Sequence, residues 1–229
     1  MKESLTQLHT EPASAEREWT VEEIPVLSAS VSLPEPVPAA DRLSRRIRRY
    51  YQLQCRSLLR YCEAYLLPAA AEACRTALEA SQPIPKFRAE LTYRVTYNEG
   101  GLWSLYTQSR ESGPGGRTVL LRRGDTWDLA SGYPVALSAF FPRRSGWKRR
   151  LLDAAEAEIQ QQEQAGAARY HEGIRRLLRR HFNPQNYYLT PEGLAIFYPM
   201  YAIAPAAEGI PVFTVPYGRS GPALPSREA

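Results

Sequence analysis

Histidine is the first residue to look for when asking what chemistry this chain can do, because imidazole titrates near neutrality and is the commonest metal ligand. There are three. His9 lies near the N-terminus, and His171 and His181 share one predicted helix but stand ten residues apart, on different faces. "YHEG" begins like a zinc-protease helix, yet the position one turn after His171 is Arg175, so the second imidazole is missing. The three cysteines, Cys55, Cys62 and Cys74, fall in one helical segment. Cys55 and Cys62 share a face about two turns, or roughly 10 Å, apart, beyond the reach of a disulfide. Without a fourth ligand at the usual spacing they read as packed, reduced thiols.

Other groups give as little. Asp125 and Asp128 have the types of a general acid and base, but turn carboxylates ordinarily cap backbone N–H groups. "SGPGGRT" is glycine-rich, yet it lies between two predicted strands and lacks the lysine of a phosphate loop. No Gly-x-Ser-x-Gly elbow occurs. "RGD" at Arg123 to Asp125 is a tripeptide of the length that chance supplies. The expectation is a non-enzymatic protein with no cofactor and no metal.

Charge is more distinctive. Twenty-nine basic residues, of which only Lys2, Lys86 and Lys148 are lysine, face 24 acids. The arginines cluster at Arg42, Arg45, Arg46, Arg48 and Arg49, at Arg143 to Arg150, and at Arg175, Arg176, Arg179 and Arg180. An anionic partner (nucleic acid, a membrane surface or an acidic glycan) is one reading. Solvated faces of amphipathic helices are the favoured one, since the last cluster flanks Leu177 and Leu178 and no nucleic-acid motif accompanies it. No nucleic-acid partner is expected. Fourteen Tyr and four Trp suit either a contact surface or a half-buried sheet.

The elements that would position these residues follow from periodicity. Residues 1–20 are polar, lack the apolar core of a signal peptide and predict a disordered lead-in. No window reaches the ~18 to 20 apolar residues of a spanning helix, so a cytoplasmic protein without a membrane span is expected. "IPVLSASVSLP" from Ile24 predicts a short strand, and "PEPVPAA" a stiff linker. Leu43, Ile47, Tyr51, Cys55, Leu58, Cys62 and Leu66 form one helical stripe behind an Asp41 N-cap, and Pro68 should kink or break that helix before it resumes to Leu78. Alternation from Phe87 to Tyr97 predicts a strand, "NEGG" a hairpin turn, and "LWSLYTQSR" and "RTVLLRR" the next two strands around "ESGPGG". Two amphipathic helices follow over about 145–164 and 168–182, then a hairpin across "PEG" and a last strand "VFTVPY". The fold class is α+β: an antiparallel sheet meander packed against one long helix and two further helices, as a single domain over 24–217 with a disordered tail over 218–229.

"VTYNEGGLWSLY" (95–106), "DTWDLASGYPVALSAFF" (125–141) and "NYYLTPEGLAIFYPMYAIAPAAEGIPVFTVPY" (186–217) resemble one bacterial family, the RsiV-like domain. It is found in the extracellular part of the RsiV anti-sigma factor and beside the catalytic domain of PdaC-like peptidoglycan deacetylases. The resemblance implies a long helix on an antiparallel sheet. It also implies a binding or sensory module for a protein or cell-wall-related ligand, with lysozyme the ligand of RsiV itself. Where the family has a turn like Gly-Gly-Ala-His-Gly after the second strand, this chain has Ser112, Gly113, Pro114, Gly115 and Gly116, with Gly115 in place of the histidine. Ser112, Gly113, Gly115, Gly116 and Arg117 are the candidate partner-contact loop. The alternatives are an enzyme acting on glycan through an unfamiliar site, and an Arg-rich domain binding an anionic polymer.

Overall fold

Both periodicities are realised in the computed structural model, which describes residues 7–38, 41–218 and 221–224. In chain order the elements are β1 (Thr10–Val21), β2 (Ile24–Pro36), α1 (Arg42–Tyr61), α2 (Leu67–Glu79), β3 (Phe87–Glu99), β4 (Leu102–Ser112) and β5 (Thr118–Asp128). There follow β6 (Tyr133–Pro134), α3 (Trp147–Gln164), α4 (Ile174–His181), β7 (Tyr187–Leu189), β8 (Gly193–Phe197) and β9 (Val212–Pro216). The strands form one sheet ordered β1-β2-β3-β4-β5-β6 and a second ordered β7-β8-β9, an α+β architecture. The larger sheet is mixed, because β2 runs parallel to β3, from Leu27↔Phe87 to Val31↔Leu91. The expected α+β fold with its long helix is borne out, and the parallel β2–β3 pairing refines it: the helices α1 and α2 form a crossover, and a crossover returns the chain in the same direction. Among the described residues no helix is long and apolar enough to cross a membrane.

The chain divides into two compact units. One comprises Met1–Leu8, Arg94–Tyr106 and Leu121–Ala229, and the other His9–Tyr93 and Thr107–Leu120.

In the His9–Tyr93 unit, the expected disordered lead-in is a strand from Thr10 onward, paired along its length with β2 from Thr10↔Pro36 to Val21↔Ile24. Its side chains are mostly exposed, so an apolar pattern was never needed. The backbone ladder holds it, and Glu16, Arg17 and Glu18 charge the outer strand against further pairing. Helices α1 and α2 pack on β2. Asp41 caps α1, accepting the Ser44 N–H at 2.9 Å and the Ser44 hydroxyl at 2.6 Å. Partial burial would raise its carboxyl pKa, but the Ser44 bonds outweigh that and hold it below the usual value. Ile47, Tyr51, Leu58 and Cys62 carry the stripe into the core. Pro68 does not break the helix. One π-turn, Cys62–Leu66, precedes it, with the Leu67 N–H bonded to the Cys62 carbonyl. The wider turn makes room for the pyrrolidine ring, which would clash with the preceding turn of a regular α-helix. The cysteines are all free.

In the other unit, Gly100 and Gly101 both hold positive φ, 57° and 71°, in the two-residue "NEGG" turn. Helix α3 packs on β9 and on α4. Phe140, Leu151, Ile159, Tyr198, Ile203 and Phe213 are core residues here, and every residue of β8 is buried. The Tyr187 hydroxyl donates to the Val135 carbonyl at 2.5 Å and that of Tyr198 to the Leu178 carbonyl at 3.3 Å. Burial pushes both phenols far above their ordinary pKa. The second amphipathic helix starts at Ile174, not near 168, because Gly173 (φ 70°) turns the chain into it. Part of the expected disordered tail is held: Pro222 is buried and the Ala223 N–H bonds the Phe140 carbonyl at 2.8 Å.

One seam joins the two sheets within this unit. The buried Ser104 hydroxyl of β4 accepts the Leu189 N–H of β7 at 2.9 Å and lies 2.7 Å from the Thr126 hydroxyl of β5. Beside it Gly124 meets the β7 backbone so closely that an added Cβ would stand 1.9 Å from the Tyr187 carbonyl oxygen. Gly124→Ala is expected to destabilise the protein by about 3 kcal/mol or more, since only backbone displacement relieves the clash. Gly113→Ala, whose Cβ meets only the Phe87 ring at 3.3 Å, is expected to cost under about 1 kcal/mol. Urea unfolding of both variants measures the contrast. Alkaline titration gives a second check. Burial, then the charges of Glu158, Glu208 and Glu163, push the Tyr170 phenol up to about 12. Its raised folded pKa contributes stability that is complete below the unfolded value near ~10 and is lost as pH rises towards 12. The unfolding midpoint of Tyr170→Phe should therefore fall less over that interval than that of the wild type.

Candidate partner-contact surface

The candidate loop is the tip between β4 and β5. The Gly113 N–H reaches the Arg117 carbonyl at 3.3 Å and closes it. Inside is a single 3-10 turn, Pro114–Gly116, with Gly115 at φ 72° and Gly116 at φ 73°, conformations that favour glycine. Pro114, Gly115, Gly116 and Arg117 are exposed, while Ser112 and Gly113 are half-buried, Gly113 lying against the Phe87 ring. Taken alone the tip offers backbone and one guanidinium, too little apolar area to anchor a partner.

Beside the tip stand two exposed tyrosines that sequence pattern did not single out. Tyr61, at the end of α1, donates its hydroxyl at 3.0 Å to Oε2 of Glu111, the residue just before Ser112. Tyr65, one turn later in the π-segment, sits ring to ring with it, centroids 5.4 Å apart and planes inclined by 32°. Tyr65 is 67% exposed and Tyr61 37%. Partial burial, then Glu111 as bond partner and as negative charge, raises the Tyr61 pKa. One layer below, the Thr107 hydroxyl of β4 donates to Gln54 Oε1 of α1 at 3.2 Å, a second tie between helix and strand. Cys62 is buried beside the pair, its thiol pushed up to about 11 by burial and then by Glu111, which leaves it a packing group. The available signal was the pair of tyrosines four residues apart on the polar side of the stripe, just ahead of Pro68.

The remaining sequence candidates stay separate. His171 and His181 lie at opposite ends of the α4 segment, and His9 belongs to the other unit. Asp125 is buried on β5, 3.5 Å from Arg123, whereas Asp128 accepts the Ala130 N–H at 2.9 Å as a local cap. Three positions apart on a strand, they point to opposite faces. Among the described residues no group of three or more His, Cys, Asp or Glu is placed to hold a metal. The first arginine cluster, on α1, lies in a different unit from the second and third.

The fold is one already seen in solved structures. A DUF3298 family member from Bacteroides fragilis superposes with a TM-score of 0.65 over 93% of this chain and 91% of its own, at 16% identity. A DUF3298 family protein from Pseudomonas aeruginosa gives 0.57 over 92% and 91%, at 18% identity. Residues 138–218 match the family described as "Protein of unknown function (DUF3298)". That segment runs from before α3 to just past β9, and neither the tip loop nor the tyrosine pair falls in it. No curated protein matches the sequence.

If Glu111 holds Tyr61 as the contact shows, Glu111→Gln should bring the Tyr61 phenol down towards its ordinary value, though not to it, since burial is the larger cause. Carbon-13 NMR of ring-labelled tyrosine, with Tyr61→Phe to assign the signal, reads this directly.

Proposed function

We propose that this chain is a non-enzymatic binding module of the RsiV-like kind, engaging a protein or cell-wall-related ligand through Tyr61, Tyr65 and the Ser112–Arg117 tip. The observation that carries the reading is the exposed Tyr61–Tyr65 pair, oriented by Glu111 next to a glycine-rich loop. Tyrosine brings a large apolar face and a polar end at low conformational cost, which is why it anchors interfaces. A π-turn inside an otherwise regular helix is a recurrent feature of functional segments. The sequence resemblance to the RsiV extracellular domain supports the same class of role, with lysozyme a ligand by analogy alone.

Immobilised protein should retain a partner from lysate of the source organism, or soluble peptidoglycan fragments, or lysozyme. Tyr65→Ala should weaken that retention by about tenfold or more, the loss typical of an interface anchor. Retention of nothing from any of the three sources, or full retention by Tyr65→Ala, would remove the reading.

A further inference from the structure

A second surface, independent of the tyrosine pair, lies on α3 and α4. The helices run antiparallel: Lys148 Nζ sits 5.1 Å over the Phe182 ring at one end, and Arg175 Nε meets Glu156 Oε2 at 2.9 Å at the other. Ile174, Leu177 and Leu178 turn into the core, leaving Arg175, Arg176, Arg179 and Arg180 exposed. Glu156 neutralises Arg175. Among the described residues no carboxylate pairs with Arg176, Arg179 or Arg180, nor with Arg143, Arg144 or Arg149 at the neighbouring end of α3.

This arrangement works against the isolated fold. Arg176 and Arg180 are like charges at i and i+4, which repel. The first turn of α3 holds Lys148, Arg149 and Arg150 and no acid, so its cations stand at the positive end of the helix dipole. The dipole of α4 accounts for Arg179 and Arg180, but not for Arg176 or for the α3 cations. An external polyanion relieves every one of these conflicts at once. Arginine, with its planar fork of donors, suits phosphate in particular.

We propose that the outer face of α3 and α4 adsorbs to an anionic phospholipid surface, with Arg149, Arg176, Arg179 and Arg180 contacting headgroup phosphates. An open hollow of about 540 Å³ lined by Gly173, Ile174, Arg175, Arg176 and Arg179 gives room for a headgroup. A bilayer fits better than nucleic acid because the cations spread over two adjacent helices, and the aromatic rings among them are already occupied. Trp147 stacks on Phe141 at 5.7 Å and leans on Phe182 at 6.2 Å, so these rings offer bases no open platform.

The test is sedimentation with phosphatidylglycerol–phosphatidylcholine vesicles, with pure phosphatidylcholine vesicles and a duplex DNA as the other arms. Each arginine near an anionic surface is worth about fivefold in partitioning, so R176Q/R179Q/R180Q should bind the anionic vesicles about 100-fold more weakly at low salt. R42Q/R49Q removes two exposed arginines from α1 and should change binding less than about threefold. Thermal unfolding of both variants, expected to match the wild type, verifies the fold. Wild-type binding to anionic vesicles that salt abolishes and only the α4 variant loses supports the proposal. Binding to DNA but not vesicles, binding to neither, or equal loss by both variants overturns it.

Discussion

The structure depends on one close approach: the backbone of β7 lying against β5 at Gly124. Nothing larger than hydrogen fits between that Cα and the Tyr187 carbonyl. The neighbouring Ser104 hydroxyl bridges β4, β5 and β7 in a buried position, where an unsatisfied N–H would be costly. With β7 fixed there, β8 pairs to it and β9 to β8, and α3 packs over β9. The core of Phe140, Tyr198, Ile203 and Phe213 is built on that order. The closing segment is thus apolar because β8 is buried throughout; Gly193 and Pro216 stand at strand ends, and Pro205 and Gly209 flank the short turn Ala206–Glu208.

A comparable constraint shapes the other unit. Pro68 demands space one turn back, and the π-turn that provides it carries Tyr65 and directly follows Tyr61, both on the polar side of the stripe. Their i, i+4 spacing sets the two rings side by side there, and Glu111 fixes Tyr61 from the facing strand. The glycine tip beside it adds conformational reach but no anchor of its own.

Much of the fold was legible. The α1 stripe, the Asp41 cap, the "NEGG" hairpin and the closing strands are properties of residues close in sequence, and each appears where its local chemistry demands. β1 was not legible, because it is an edge strand held by backbone pairing with few buried side chains, and its composition is that of a disordered chain. The parallel β2–β3 pairing was equally hidden, since strand direction is set by how the α1–α2 crossover packs. The candidate surface was half legible: glycines announce a loop, whereas the tyrosines that complete it look like any others.

By itself the sequence determined the periodicities, the turns and caps, the absence of a familiar catalytic motif and the abundance and clustering of arginine. Tertiary structure alone decided which tyrosines face solvent, that Glu111 meets Tyr61 across fifty residues, and that the second and third arginine clusters share a helix pair. The reason is physical. Local conformation is governed by neighbours in the chain, but exposure and charge pairing are governed by whatever the fold brings alongside.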